Sequence, residues 1–294
     1  MIDETAARRA VVVVGGSRGI GKAIAKVAAS EGRPVVLVAR SLDHLAEAAS
    51  EIRMAGGEAF ILDLDLCLAG AAARVEEFLT EKGLLCDVLV NSAGYGLRGA
   101  ASVMQIDKQI GIIDVNIRAL SELTLHFLPG MLRRRQGGVI NLASVASFLP
   151  GPNMAMYYAS KNFVRSFSEA LNAELRFTGV TVTCAAPGPV ATEFLDHSGA
   201  GRVPLFKILP RYPAPYVAEH VWHGFKSGRR LVIPGFWAKI AAATARMLPT
   251  GFLLFVVGRL QRRSSDLCPC GSGLRYKACC RATYSANGRK SGTG

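Results

Sequence analysis

Short β-branched apolar runs alternate with amphipathic stretches through the first 190 residues. Ala10–Val14, Pro34–Ala39, Ala59–Asp63, Asp87–Asn91, Gly138–Ala143 and Val180–Ala186 read as strands, and Arg230–Ile233 adds a seventh. Between them, Ile20–Ser30, Leu42–Ala55, Ala71–Lys82, Ile106–Arg135 and Tyr157–Thr178 carry helical periodicity. This alternation predicts βαβ units and a parallel sheet covered by helices on both faces. Right-handed crossovers then make an α/β doubly wound sheet the expected architecture.

After Pro187 the pattern loosens. Gly188–Pro215 is rich in Pro and Gly with little periodicity, as a loop over a ligand would be. It carries Phe194, Leu195, Leu205, Phe206, Ile208 and Leu209, with His197 also on it, so it suits an apolar ligand better than a sugar. Phe236–Met247 and Gly251–Arg263 are apolar helical patterns hinged at Pro249. The expected division is 1–235 for the main domain, 236–263 for a helical extension, 264–283 for a Cys-rich module and 284–294 for a polar tail expected to be disordered. His220 and His223, three apart on a helical pattern, read as surface residues.

Composition narrows the class. Half of the 294 residues are apolar and 19% are charged, which excludes a disordered chain. The net charge is +13, and the stretch from Arg259 onward holds eight Lys/Arg against the single acid Asp266. A basic end suits an anionic partner or simply a solvated tail. Nothing resembles a signal peptide, and the apolar run Phe252–Val257 is far short of the ~20 residues that span a bilayer. A cytoplasmic, reducing setting is expected. There, Cys67, Cys86 and Cys184 read as core residues, and the cluster Cys268, Cys270, Cys279 and Cys280 reads as a metal site.

The first strand runs into Gly15-Gly16-Ser17-Arg18-Gly19-Ile20-Gly21 and then a helix. Glycines at such a junction let the backbone and the helix N-terminus approach a pyrophosphate, as in a Rossmann-type fold. An NAD site would place an acid at the end of the second strand. Here stand Ala39-Arg40, with Arg18 close by, so a 2′-phosphate and hence NADP(H) is favoured over NAD(H). Asp63, at the end of the third strand, suits the adenine amino group. Asn91, Ala93 and Gly94, ending the fourth, suit packing beside the cofactor.

Tyr157 and Lys161, four apart, share one face of a helix, and a nearby ammonium would lower the phenol's pKa. Ser144 precedes Tyr157 by thirteen residues at the end of the fifth strand. With Gly15/Gly19/Gly21, Asn91-Ser92-Ala93-Gly94, Asn116 and Pro187-Gly188, these residues make the chain resemble the short-chain dehydrogenase/reductase family from about residue 9 to 235. Val14 and Ser92 depart from the family's usual Thr and Asn. The resemblance implies that Tyr157 exchanges the proton with the substrate oxygen and Ser144 hydrogen-bonds that oxygen. It implies that Lys161 holds the nicotinamide ribose and Asn116 fixes a water behind it. Pro187, Gly188, Val190 and Thr192 would lie along the carboxamide. The alternative is a cofactor-binding scaffold whose Cys-rich end recruits a protein.

That end, Cys268-Pro269-Cys270-Gly271-Ser272-Gly273-Leu274-Arg275-Tyr276-Lys277-Ala278-Cys279-Cys280, resembles the SEC-C motif, a small zinc hook. The resemblance implies one structural Zn2+ on four thiolates and a basic face for a protein partner. Phe236–Arg263 mixes Trp237, Phe252, Leu253, Leu254 and Phe255 with Lys239, Arg246, Arg259, Arg262 and Arg263. It would lie in a membrane interface, pack on the core, or form a dimer contact. A homo-oligomer is expected.

Overall fold

The computed structural model describes residues 7–194, 198–199, 210–262 and 265–280. Leu195, His197, Leu205, Phe206, Ile208 and Leu209 lie outside the described residues, as do Arg263, Ser264 and the tail from 284. Seven parallel strands form one sheet in the order β3-β2-β1-β4-β5-β6-β7. They are β1 (Arg8–Val14), β2 (Val35–Ala39), β3 (Ala59–Asp63), β4 (Leu84–Asn91), β5 (Gly137–Leu142), β6 (Val180–Ala185) and β7 (Leu231–Val232). The order reverses between β1 and β4, which opens a crevice at their C-terminal ends.

Helices α1 (Gly19–Ser30), α2 (Leu42–Met54) and α7 (Ala214–Lys226) cover one face. Their Ile24, Leu45, Ile52, Val221 and Trp222 pack on Val11, Val13, Val35 and Leu37. The other face is covered by α3 (Ala71–Glu81), α5 (Leu120–Arg134) and α6 (Ala155–Glu174), whose Val75, Leu123, Met131 and Leu171 meet Val12, Val36, Leu89 and Val182. Burial on both faces is why β1 and β4 are almost wholly apolar. Two further helices, α8 (Phe236–Met247) and α9 (Thr250–Gln261), meet at Pro249, whose missing N–H ends the helical run.

One expected element is divided in the structure. The single helix expected over 106–135 is α4 (Ile106–Ile113), a π-helical turn at Asp114–Ala119, and then α5. Such widened turns gather at functional sites, and this one turns Asn116 fully inward.

Candidate active site

The glycine loop is built by close approach. Gly15 has φ of +77°, and a Cβ there would stand 2.5 Å from the Ala93 nitrogen. A Cβ on Gly21 would stand 2.3 Å from the Gly15 carbonyl oxygen. Any side chain at either position must push backbone aside. The Ser92 amide donates to the Val14 carbonyl (2.9 Å), holding the end of β4 against the loop. A narrow, backbone-lined cradle therefore lies at the start of α1, with Ser17 and Ile20 half-buried along it. This fits a pyrophosphate.

Arg40 is exposed at the end of β2, and Asp63, also exposed, pairs in register with Ala39. Arg18 caps the loop but forms an ion pair with Glu193, both side chains about half exposed. Beside it, Thr192 comes within 3.3 Å of where a Gly19 Cβ would stand. The segment after β6 thus folds down over the glycine turn. It is held by a bridge between Val190 and Tyr212 and by the Val145 amide donating to Pro187 (3.0 Å). Gly188 abuts α8, with Ala238 Cβ 3.2 Å from a Cβ placed there. Asn91 differs from expectation: its amide faces inward, donating to Thr124 (3.0 Å) and Asn141 (2.9 Å) in the core.

The polar groups converge next to this cradle. Lys161 Nζ is buried, donates to the Leu142 carbonyl (2.7 Å) and lies 6.0 Å from the centre of the Tyr157 ring. Asn116 accepts from the Tyr95 amide (3.0 Å) and donates to the Tyr95 carbonyl (3.0 Å) and to Ser160 (2.9 Å). A Cβ on Gly94 would press on both Asn116 Oδ1 (3.0 Å) and Lys161 Nζ (3.4 Å), so only glycine leaves the two polar groups clear. Ser144 caps a short 3₁₀ turn (Val145–Phe148) by accepting from the Ala146 amide, and its hydroxyl also reaches the Tyr157 phenol. Tyr157 packs against Phe194 and Met154.

Electrostatics here differ from the sequence expectation. Burial pushes the Tyr157 phenol up to about 12, with the Ser144 hydrogen bond pulling the other way. Burial pulls Lys161 down to about 8 from the usual 10.5. At this separation, desolvation outweighs the pull of the ammonium. Between about pH 8 and 10.5 the unfolded chain keeps a proton that native Lys161 has released, so this group makes stability rise with pH across that window. Tyr157, raised instead, opposes that gain only above pH 10. Urea midpoints measured from pH 7 to 10 should climb less steeply for Lys161→Met than for the wild type. Parallel curves would mean that Lys161 carries no buried charge.

Sequence reasoning missed the wall beyond Tyr157. Gln261, at the end of α9, is fully buried and donates to the hydroxyl of Tyr158. Arg98, on the loop after β4, forms a forked ion pair with Asp266 at 2.6–3.0 Å, the two side chains 7% and 20% exposed. Ser102 donates to the Pro269 carbonyl (2.8 Å). The Cys-rich end is therefore docked on the active-site loop. Within it, the Cys268 amide donates to the Leu274 carbonyl (2.8 Å), and the turn passes through Gly271 and Gly273 at positive φ. The sulfurs of Cys268, Cys270, Cys279 and Cys280 all lie within 4.8 Å of one another. Tetrahedral thiolates on zinc stand roughly 3.8 Å apart, from Zn–S bonds of about 2.3 Å, so the donor set fits that ion. Ser272 brings the Cys270 thiol down to about 6 by hydrogen bonding. His220 and His223 sit on the exposed face of α7 and join no metal-ligand cluster among the described residues.

The short chain dehydrogenase family profile matches residues 9–202. The chain belongs to that family. A short chain dehydrogenase of Pseudocercospora fijiensis is 36% identical to this dehydrogenase over 187 residues, 63% of the present chain and 60% of the relative. The present chain thus matches under two thirds of that relative's length. A 3-oxoacyl-[acyl-carrier-protein] reductase of Synechocystis is 33% identical over 205 residues, 69% of this chain and 83% of the relative. Among solved structures, a short-chain dehydrogenase of Sphingobium yanoikuyae in complex with NADPH superimposes with a TM-score of 0.71 at 27% identity, covering 81% of this chain and 93% of that one. The SEC-C motif profile matches residues 265–282. The protein is accordingly a member of the short-chain dehydrogenase/reductase family with a SEC-C motif behind its family domain. No helix among the described residues is long and apolar enough to cross a membrane.

Proposed function

We propose that this enzyme is an NADP(H)-dependent oxidoreductase that interconverts a lipophilic ketone or aldehyde with its alcohol, using Tyr157 as general acid/base. The observation that carries this reading is the convergence of Ser144, Tyr157, Lys161 and Asn116 beside a glycine cradle, opposite a wall of Met154 and Phe194. When bound, the nicotinamide supplies or accepts the hydride at the substrate carbon. With its pKa near 12 the Tyr157 phenol holds its proton at neutral pH, the form that donates to a carbonyl oxygen. Ser144 steadies that oxygen, and Lys161 holds the nicotinamide ribose. Asn116, locked by Tyr95 and Ser160, keeps the π-helical turn in place behind Lys161, where it would fix the relay water. Incubation with NADPH and a panel of lipophilic carbonyls tests the reading: cofactor binding with no turnover across the panel favours a scaffold instead.

Arg40 supports the cofactor preference. It is exposed at the end of β2, where a 2′-phosphate would sit. Arg18 must exchange Glu193 for the phosphate to assist it. Arg40→Asp is expected to move the NADPH/NADH ratio of kcat/KM toward NADH by at least about tenfold, removing one charge-assisted contact and adding a 2′-hydroxyl acceptor. An unchanged ratio would leave Arg18 as the sole phosphate ligand.

The cysteine cluster is read as a structural zinc site, closed by four protein ligands. Leu274, Arg275 and Lys277 are exposed beside it and form the face offered to a protein partner. Exposed Ile110, Leu125 and Phe163 on α4, α5 and α6 supply apolar surface for the expected homo-oligomer.

A further inference from the structure

The burial of α8 is inverted relative to an ordinary surface helix. It turns Ala238, Ala242 and Ala245 toward the protein and holds Phe236, Trp237, Ile240 and Met247 outward, at 68%, 53%, 40% and 84% exposure. Helix α9 adds Phe252, Leu254 and Phe255 at 52%, 42% and 62%. Seven large apolar side chains thus face outward from two adjoining helices, far from the scattered singles of a normal surface.

The charges in this hairpin have one sign. From Phe236 to Gln261 the sequence carries Lys239, Arg246 and Arg259 and no Asp or Glu. Arg259 lies 5.6 Å over the Phe255 ring, keeping its charge against an apolar body as side chains do at a lipid–water boundary. Each helix has 12 residues, about 18 Å of length, which allows lying in an interface and excludes crossing a bilayer. A second copy of the chain is a poorer occupant. A two-fold contact through this face would set the same three cations against their own equivalents, with no acid in either hairpin to neutralise them.

The hairpin also sits at the site. Ala238 abuts Gly188, Gly258 lies against Pro152, and Gln261 bonds Tyr158 next to Tyr157. We infer that α8 and α9 dock on an anionic lipid surface, so that the enzyme takes its carbonyl or alcohol substrate from the membrane rather than from bulk water. This rests on the lipophilic-substrate reading above. Binding strength would scale with the apolar area inserted plus attraction to anionic lipid.

Trp237 is a built-in reporter, because the other tryptophan, Trp222, is buried. The full-length protein is mixed with vesicles of phosphatidylcholine alone or of phosphatidylcholine with phosphatidylglycerol, then followed by flotation and by Trp emission. Expected are a blue shift and co-flotation with the anionic vesicles, weakened by salt and more than about tenfold weaker without phosphatidylglycerol. The exposed triple variant Met247→Ser/Phe252→Ser/Phe255→Ser should lose both signals while keeping its melting temperature and its turnover of a water-soluble carbonyl. An unchanged emission with all protein left at the bottom of the gradient would overturn the inference. So would dimerisation in light scattering that the triple variant abolishes, since a second copy would then cover the face. Turnover measured without vesicles separates the two readings: an active enzyme that ignores vesicles refutes membrane docking alone.

Discussion

Replacing Tyr157 with Phe is expected to cut turnover of carbonyl substrates by about 10²–10⁴-fold, the range of a lost general acid. The NADPH dissociation constant should stay nearly unchanged. The reason lies in the packing. The ring is 7% exposed and wedged among Met154, Phe194 and Gly96, contacts that Phe keeps. Lys161 is held by the Leu142 carbonyl rather than by the phenol, so cofactor binding does not depend on the deleted oxygen. Single-turnover NADPH oxidation with a saturating carbonyl measures the loss directly. Wild-type rates in Tyr157→Phe would show that another group supplies the proton.

Removing the metal site should have the next largest effect, on substrate affinity rather than on the cofactor. Structural zinc contributes about 10–16 kcal/mol to local folding in small finger peptides, so Cys270→Ser/Cys279→Ser should lose the hook's order together with its zinc. Elemental analysis should then fall from one zinc per chain to none. Asp266 lies two residues before Cys268 and pairs with Arg98 on the active-site loop. Loss of the hook leaves Arg98 largely buried without its carboxylate, a change that costs up to about 3–5 kcal/mol. The loop should loosen, KM for the carbonyl should rise at least about tenfold, and the NADPH dissociation constant should hold. Asp266→Asn should reproduce the KM effect with zinc retained. A full zinc complement in the double Cys variant, or an unchanged KM in both variants, would sever hook from site.

Most of the sheet was legible because β1, β2 and β4 are apolar on both faces and need no distant partner to declare themselves. The glycine loop was legible for a similar reason, since Gly15 and Gly21 are fixed by contacts within a few residues of each other and with the end of β4. The π-helical turn at Asn116 was not. Its cause is an amide caught between Tyr95 and Ser160, side chains and backbone brought together only by the fold, while the local periodicity of 106–135 is that of an unbroken helix. The Tyr157–Lys161 spacing pointed to proximity, but burial, which no spacing reveals, sets the sign of both pKa shifts. Gln261, Arg98 and Asp266 carried no signal at all, each being an ordinary polar residue until its partner arrives from far along the chain.

The Arg98–Asp266 pair closes a sequence separation of 168 residues. During synthesis at about 5–20 residues per second, that distance corresponds to roughly ten to thirty seconds between the emergence of the two side chains. Within that interval the strands on either side of the crevice, β1 through β6, can pair and form the glycine cradle, while Arg98 still lacks Asp266 and Tyr158 still lacks Gln261. The glycine cradle would thus form before the surface beside Tyr157 is complete, and late-arriving residues, not the sheet, would set the moment at which the site is finished.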